Sequence, residues 1–344
     1  MSIYNHEQIT ATESLPNPDS QQHRLAVKAA AVAMAGLSLA GCFAQSSEKS
    51  HPKATTTTSI APPSTTTTTT TEVIPIGPPQ SNPLFDTYPA WSQDFSHLPN
   101  GSLSTSDWNI ETGPAQYNDE AEYNTGNPAN LRVVNGVLTL EARQQALNNF
   151  DYTSARIDTD GKESFMYGKL VFSAELPSGI GSWPAIWLES TNHIYEKDGP
   201  PSDTKRYIND GEVDIVEAIG DNQCLVFSVV HTLDPSGNLT KQGHDRTIQV
   251  PNCNTTFNDY AMEWTPDSMT FSVNNQVFYV YEKTPGAGFQ TWPFDQLYYL
   301  IIDLAEGGVW GGMERKIYPP NGIDNAALPT EFNIRSIYYY PYIG

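Results

Sequence analysis

The chain has 344 residues, with 18 Lys+Arg against 39 Asp+Glu and a net charge of −21 at pH 7. That balance excludes a nucleic-acid partner or an anionic membrane surface held by clustered cations. Charged residues are 17 %, aromatics include 18 Tyr, 13 Phe and 7 Trp, and 24 Gly and 26 Pro promise many turns. The mixture predicts an exported, turn-rich β protein with an aromatic binding surface.

Residues 1–41 read as an export signal. Arg24 and Lys28 precede the apolar run Ala29–Ala40, which is too short to cross a bilayer as a helix. Leu39-Ala40-Gly41-Cys42 resembles the lipobox of bacterial lipoproteins and predicts lipidation at Cys42, with an ordinary signal peptide as the alternative. The expected location is extracytoplasmic, as a cell-surface lipoprotein or a secreted protein. A lipidated Cys42 leaves Cys224 and Cys253, either as a disulfide or as two buried thiols. No cysteine–histidine cluster has metal-ligand spacing, so no metal site is expected. Residues 42–83 carry the Thr55–Thr58 and Thr65–Thr71 runs and seven prolines, and predict an extended tether.

Residues 84–344 then form one domain. Leu131–Ala142 alternates around Asn135-Gly136, and Met269–Tyr281 around Asn274-Asn275, two hairpin signals. Tyr167–Leu176, Leu225–Thr232, Leu297–Leu304 and Phe332–Tyr340 are further runs of strand length. No helical period is sustained over three turns, so an all-β sandwich or barrel is expected.

The chemistry is expected in Gly211–Gly220, GEVDIVEAIG. Alternation puts Glu212 and Asp214 on one strand face and Val213 and Ile215 on the other. Strict alternation would send Glu217 to the apolar face, where an unpaired carboxylate is costly. A β-bulge near Ile215-Val216 returns it to the face of Glu212. Asp158, Asp160 and Glu163 share the spacing, but the intervening Thr159 and Gly161-Lys162 mark a turn. Two glutamates on one face with an aspartate between them fit retaining glycoside hydrolysis, and their mutual repulsion predicts that one keeps its proton near neutral pH.

Over about residues 91–344 the chain resembles glycoside hydrolase family 16, in its laminarinase-like branch. The resemblance rests on YNDEAEYNT (117–125), NPANLRVVNGVLTLEAR (127–143), YGKLVFSAELPSGIGSWPAIWLE (167–189), GEVDIVE (211–217) and WPFDQLYYLIIDLAEGGVWGG (292–312). It implies a concanavalin-like β-jelly-roll sandwich of two antiparallel sheets with an open cleft on the concave face. It also implies a retaining, endo-acting hydrolase of β-1,3-glucan of the laminarin type, with Glu212 as nucleophile, Glu217 as general acid/base and Asp214 between them. Mixed-linkage glucan, galactan, transglycosylation and non-catalytic glucan binding are the alternatives. Trp183 and Trp187 resemble the family's subsite tryptophans, with a core position as the alternative. Asn130 and Arg156 match positions that bind glucosyl hydroxyls, an ion pair being the rival for Arg156, and His231 matches a family histidine. A monomer is expected, touching the membrane only through its lipid.

Several positions depart from the pattern. IDLAEGG places Asp303 and Glu306 where the family commonly reads N-L-A-V-G-G, and His193–Arg206 is a polar insert. Many members hold a structural Ca²⁺ through an aspartate in the last strand. Arg335 stands there in this chain, so no cofactor is expected, and Arg335 is expected to pair with an acid such as Asp94.

Overall fold

The computed structural model describes residues 77–115, 118–195, 209–222, 224–242 and 246–344. The expected export signal, Cys42 and most of the tether and of the polar insert lie outside the described residues. The chain is already held against the domain before residue 84: Tyr340 donates its hydroxyl to the Pro78 carbonyl at 2.8 Å.

Strands dominate the described residues. The first are β1 (Trp91–Asp94), β2 (Asn109–Ile110), β3 (Gly113–Pro114), β4 (Glu122–Asn124) and β5 (Leu131–Val134). β6 (Val137–Leu147), β7 (Phe150–Ser154), β8 (Arg156–Asp158), β9 (Gly168–Glu175) and β10 (Ser182–Ser190) follow. Then come β11 (Glu212–Glu217), β12 (Leu225–Leu233), β13 (Leu239–Gln242), β14 (Thr247–Gln249) and β15 (Asn258–Trp264). β16 (Ser268–Val273), β17 (Gln276–Glu282), β18 (Tyr298–Glu306) and β19 (Thr330–Pro341) complete the set. The single α-helix among them, α1 (Gly308–Gly311), is one turn long.

Both predicted hairpins form, β5–β6 and β16–β17. Their turns place Asn135 (φ 54°) with Gly136 (φ 79°), and Asn274 (φ 50°) with Asn275 (φ 64°), in the left-handed region that two-residue hairpins need. Asn148 and Asn149 turn β6 into β7 in the same way.

The strands assemble into two sheets, antiparallel except where β4 runs parallel to β7. One has eight strands in the order β13-β12-β11-β10-β18-β8-β2, with β14 beside β12. The other has eleven along β17-β16-β15-β9-β19-β6-β7-β4-β3, with β1 and β5 alongside. This is the jelly-roll sandwich. Ile186, Leu188, Leu300, Ile302 and Leu304 of the first sheet face Leu140, Leu170, Phe172, Met262 and Phe332 of the second in one buried core. Each such side chain contributes about 1.5–3 kcal/mol on burial. Alternation leaves the odd-numbered residues of β10 and β18 on the opposite face of the eight-stranded sheet, where the site lies.

Cys224, just before β12, and Cys253, before β15, form a disulfide with Cα atoms 5.4 Å apart. It ties the β12–β14 region to the loop that also receives the Leu176 amide.

Candidate active site

β11 departs from a plain ladder at the predicted place. Ile186 of β10 pairs with Val216, but the next residue, Trp187, pairs with Asp214, so Ile215 has no partner on β10. The pairing with β12 is also shifted between Asp214 and Glu217. Val213, Ile215 and Val216 all reach the core, while Glu212, Asp214 and Glu217 line one cavity of about 860 Å³. The bulge lets two consecutive apolar residues stay buried while the carboxylates keep to one side. Gly211 starts the strand at φ 73°, and a Cβ there would come within 2.6 Å of Pro293 and 2.7 Å of Phe294. That packing sets where Glu212 begins.

The pairing registers arrange the cavity floor in rows. Tyr299, Glu189, Glu212 and His231 lie in one row across β18, β10, β11 and β12. Arg156, Asp303, Ala185, Glu217 and Phe227 lie in another. His231 Nε2 is 2.9 Å from Asp214 Oδ2 and 3.5 Å from Glu212 Oε1. Trp183 Nε1 donates to Glu217 Oε1 at 2.9 Å, and its ring meets Trp310 edge-on at 5.4 Å. Tyr299 donates to Glu189 at 2.6 Å.

These carboxylates share too little positive charge. Burial, then Asp214, pushes both Glu212 and Glu217 up to about 8, although 21 % of the Glu212 side chain stays exposed. Against this, His231 favours the ionised form of both, and the Trp183 indole adds to that at Glu217. The trio therefore does not carry three negative charges at neutral pH, and a proton is held among them. Glu120, also lining the cavity, is raised to about 7 by burial and by Asp303. Glu212, Asp214 and His231 each offer a ligand atom within 4.8 Å of the others and could hold a cation. Such an ion would compete with the His231–Asp214 contact.

Arg156, Trp183, Trp187 and His231 line the cavity with the three carboxylates. Asn130 does not. It is fully buried, and its Nδ2 donates to the Glu141 carbonyl at 2.8 Å and Thr153 Oγ1 at 3.0 Å. A side chain spent on tying β6 to β7 has no reach to a sugar. Asn124 lies in the cavity wall instead, 7 % exposed, with Oδ1 unpartnered among the described residues. Its place in YNDEAEYNT was the available signal. Glu111, Glu189, Tyr299 and Trp310 are further lining residues that sequence reasoning did not single out.

The calcium-replacing ion pair is also corrected. Asp94 lies opposite Ser336, accepts from the Ser96 amide and hydroxyl, and sits 3.6 Å from His97 Nε2. Arg335 is exposed and covers the Phe257 ring at 4.0 Å. Ile334 and Ser336 pair with consecutive residues of β9, which leaves Arg335 as the extra residue of a bulge, and among the described residues it forms no ion pair with Asp94.

The sequence profile of Glycosyl hydrolases family 16 matches residues 118–318. The chain belongs to that family. It is 34 % identical over 259 residues to a beta-glucanase of Rhodothermus marinus, covering 74 % of this chain and 85 % of the relative. The X-ray structure of the laminarinase from Rhodothermus marinus superposes with a TM-score of 0.65 at 33 % identity, over 74 % of this chain and 98 % of that one. A glucan endo-1,3-beta-glucosidase A1 of Niallia circulans is 31 % identical, over 70 % of this chain and 37 % of that longer protein. The protein is thus a glycoside hydrolase, and the bulged strand with its three carboxylates lies inside the matched region.

Proposed function

We propose that this family-16 enzyme hydrolyses β-1,3-glucan of the laminarin type internally and with retention of configuration. The observation that carries the reading is the bulge at Ile215, which turns Glu212 and Glu217 to one cavity floor with Asp214 between them. Glu212 attacks the anomeric carbon while Glu217 gives its proton to the departing glycosidic oxygen. Glu217 then takes a proton from water as the glycosyl–Glu212 ester is cleaved. Asp214 keeps the trio from shedding its last proton, and His231 beside Glu212 and Asp214 favours the ionised nucleophile. Residues from β8 to β13 line the cavity, six adjacent strands spanning roughly 24 Å, which suits several sugar rings and internal cleavage. The laminarinase and endo-1,3-glucosidase relatives support the linkage.

Azide separates the two roles. Glu217→Ala should regain activity on an activated aryl β-glucoside and form a β-glycosyl azide, whereas Glu212→Ala should form the α-azide. An α-configured first product from the unaltered enzyme on laminarin, seen by NMR, would refute retention.

We also propose that the enzyme works outside the cytoplasm as a monomer, tethered by lipid on Cys42, with the Cys224–Cys253 disulfide suited to an oxidising compartment. Cys42→Ser should then leave the membrane fraction or remain unprocessed. Mature, membrane-bound Cys42→Ser protein would refute the tether.

A further inference from the structure

Trp187 is held on two sides by groups that do not themselves perform the chemistry. Its Nε1 donates to Asp303 Oδ1 at 2.7 Å. The Arg156 guanidinium carbon lies 4.9 Å from the centre of its ring. Arg156 is fixed in turn, because its Nε donates to Glu111 Oε1 at 2.7 Å. All four residues line the cavity. The row geometry explains why they meet: Asp303 pairs with Arg156 on one side and Ala185 on the other, one diagonal step from Trp187. The small Ala185 side chain leaves room for the indole edge to reach the carboxylate.

We propose that Asp303 is a positioning residue that acts through Trp187. Its carboxylate fixes the indole edge and Arg156 covers one indole face, so that the opposite face is presented to a sugar ring. The arrangement reassigns Arg156 as well. A guanidinium whose Nε serves Glu111 and whose charge rests over an indole is a backing for the platform. Trp187 sits opposite Asp214 and one row from Glu217, so a sugar stacked on it lies against the reacting bond. An indole free to rotate about its side-chain bonds would lose part of its stacking gain to conformational entropy.

Asp303 suits this role better than sugar recognition. Burial raises its carboxyl above the ordinary range, while Arg156 and the Trp187 indole pull it back down. The acceptor oxygen facing the indole persists in either protonation state, so the contact survives a change of pH.

The inference rests on reading the cavity as a glucan site for its kinetic consequence, but not for its structural one. Asp303→Asn keeps an acceptor oxygen and Asp303→Leu removes it. On laminarin, Asp303→Leu should raise KM about tenfold with kcat within about threefold, the signature of lost ground-state binding. Asp303→Asn should stay within about twofold of the unaltered enzyme in KM. In a Trp187→Phe background, which keeps a ring but has no donor, Asp303→Leu should add nothing, giving a coupled cycle. Independently of substrate, the Trp187 indole N–H resonance, assigned by its loss in Trp187→Phe, should shift and lose exchange protection in Asp303→Leu but not in Asp303→Asn. Equal KM increases in Asn and Leu variants, or additive losses in the Trp187→Phe background, would overturn the proposal. An indole resonance unmoved by Asp303→Leu would do the same. If Asp303→Leu does not fold, loss of exchange protection in Asp303→Asn overturns it too. An enzyme inactive on every β-glucan would refute the substrate reading while leaving the indole resonance to decide the role of Asp303.

Discussion

The middle of the eleven-stranded sheet and the cavity bury carboxylates in opposite ways. In the eleven-stranded sheet, Glu141 is 4 % exposed and lies between Arg132, 2.6 Å away, and Arg143. Glu263 there meets Lys169 at 2.9 Å. Over the eight-stranded sheet, seven acids line the cavity, five of them on its strands, with Arg156 and His231 as the basic groups among the described lining residues. A buried acid matched by cations serves packing. A buried acid left short of cations has its proton affinity raised, and can give or take a proton near neutral pH.

The sharpest break between the two kinds comes from removing charge on each side. Glu212→Gln and Glu217→Gln should each cut turnover on laminarin about 10³-fold or more. The rate of the unaltered enzyme should fall as pH rises through about 8, where the trio loses the proton that Glu217 has to donate. Both carboxyls are raised on folding, so their contribution to stability is complete below about 4.5 and is lost as pH climbs to about 8. The two Gln variants should therefore melt above the unaltered enzyme at pH 8 and level with it at pH 4.5. Lower melting at pH 8 would place these glutamates with the structural acids.

Glu141→Ala should do the reverse. Arg132 keeps Glu331 and Arg143 reaches solvent, so the loss is that of the charge-assisted contacts, about 2 kcal/mol in a denaturant titration, while kcat/KM on laminarin holds. A loss of kcat/KM without loss of stability would erase the distinction.

Glu306 sharpens it further. It ends β18 on the core side, is 1 % exposed, and neither carboxylate oxygen has a hydrogen-bond partner among the described residues. Burial alone pushes it up to about 8. Its raised value has the same sign, so Glu306→Gln should stabilise by about 2 kcal/mol at pH 8 and by nothing at pH 4.5. An equal effect at both pH values would mean that shape, not charge, governs the position. The smallest expected effect concerns the eleven-stranded sheet, where Asp94 is served by Ser96 and His97. We propose that no structural calcium contributes there: EDTA and added Ca²⁺ should both leave the melting temperature unchanged. A calcium-dependent rise of several degrees would contradict this.

What was legible in the sequence was whatever is encoded over a few residues. The bulge could be argued from Val213, Ile215 and Val216 against three acids, because periodicity and the cost of a buried charge act locally. The asparagine turns were legible for the same reason. Asn130 failed because its partners, the Glu141 carbonyl and Thr153, arrive from strands 11 and 23 positions away. Arg335 failed through register. The ladder sets Ser336, not Arg335, against Asp94, and Arg335 is an extra residue of β19 that no residue of β9 opposes. Asp303 and Glu306 were visible as departures in IDLAEGG, yet one faces the cavity and its near neighbour the core, which only the assembled strand reveals.

The unpaired Ile215 also has a hereditary consequence. Substitutions along β11 can be sampled one at a time, each trading a little packing or charge. The count of residues between Glu212 and Glu217 changes in whole steps, and the bulge is tied to that count. Five positions separate the two glutamates, an odd number that plain alternation cannot serve. Loss of the codon for Ile215 would leave an even number, and an unbroken ladder with β10 would then keep both glutamates on the cavity face. Descent can therefore drop the bulge and its extra residue together and keep the carboxylates in place, giving up only the packing of one apolar side chain. A length change that left the bulge standing would instead send one glutamate into the core.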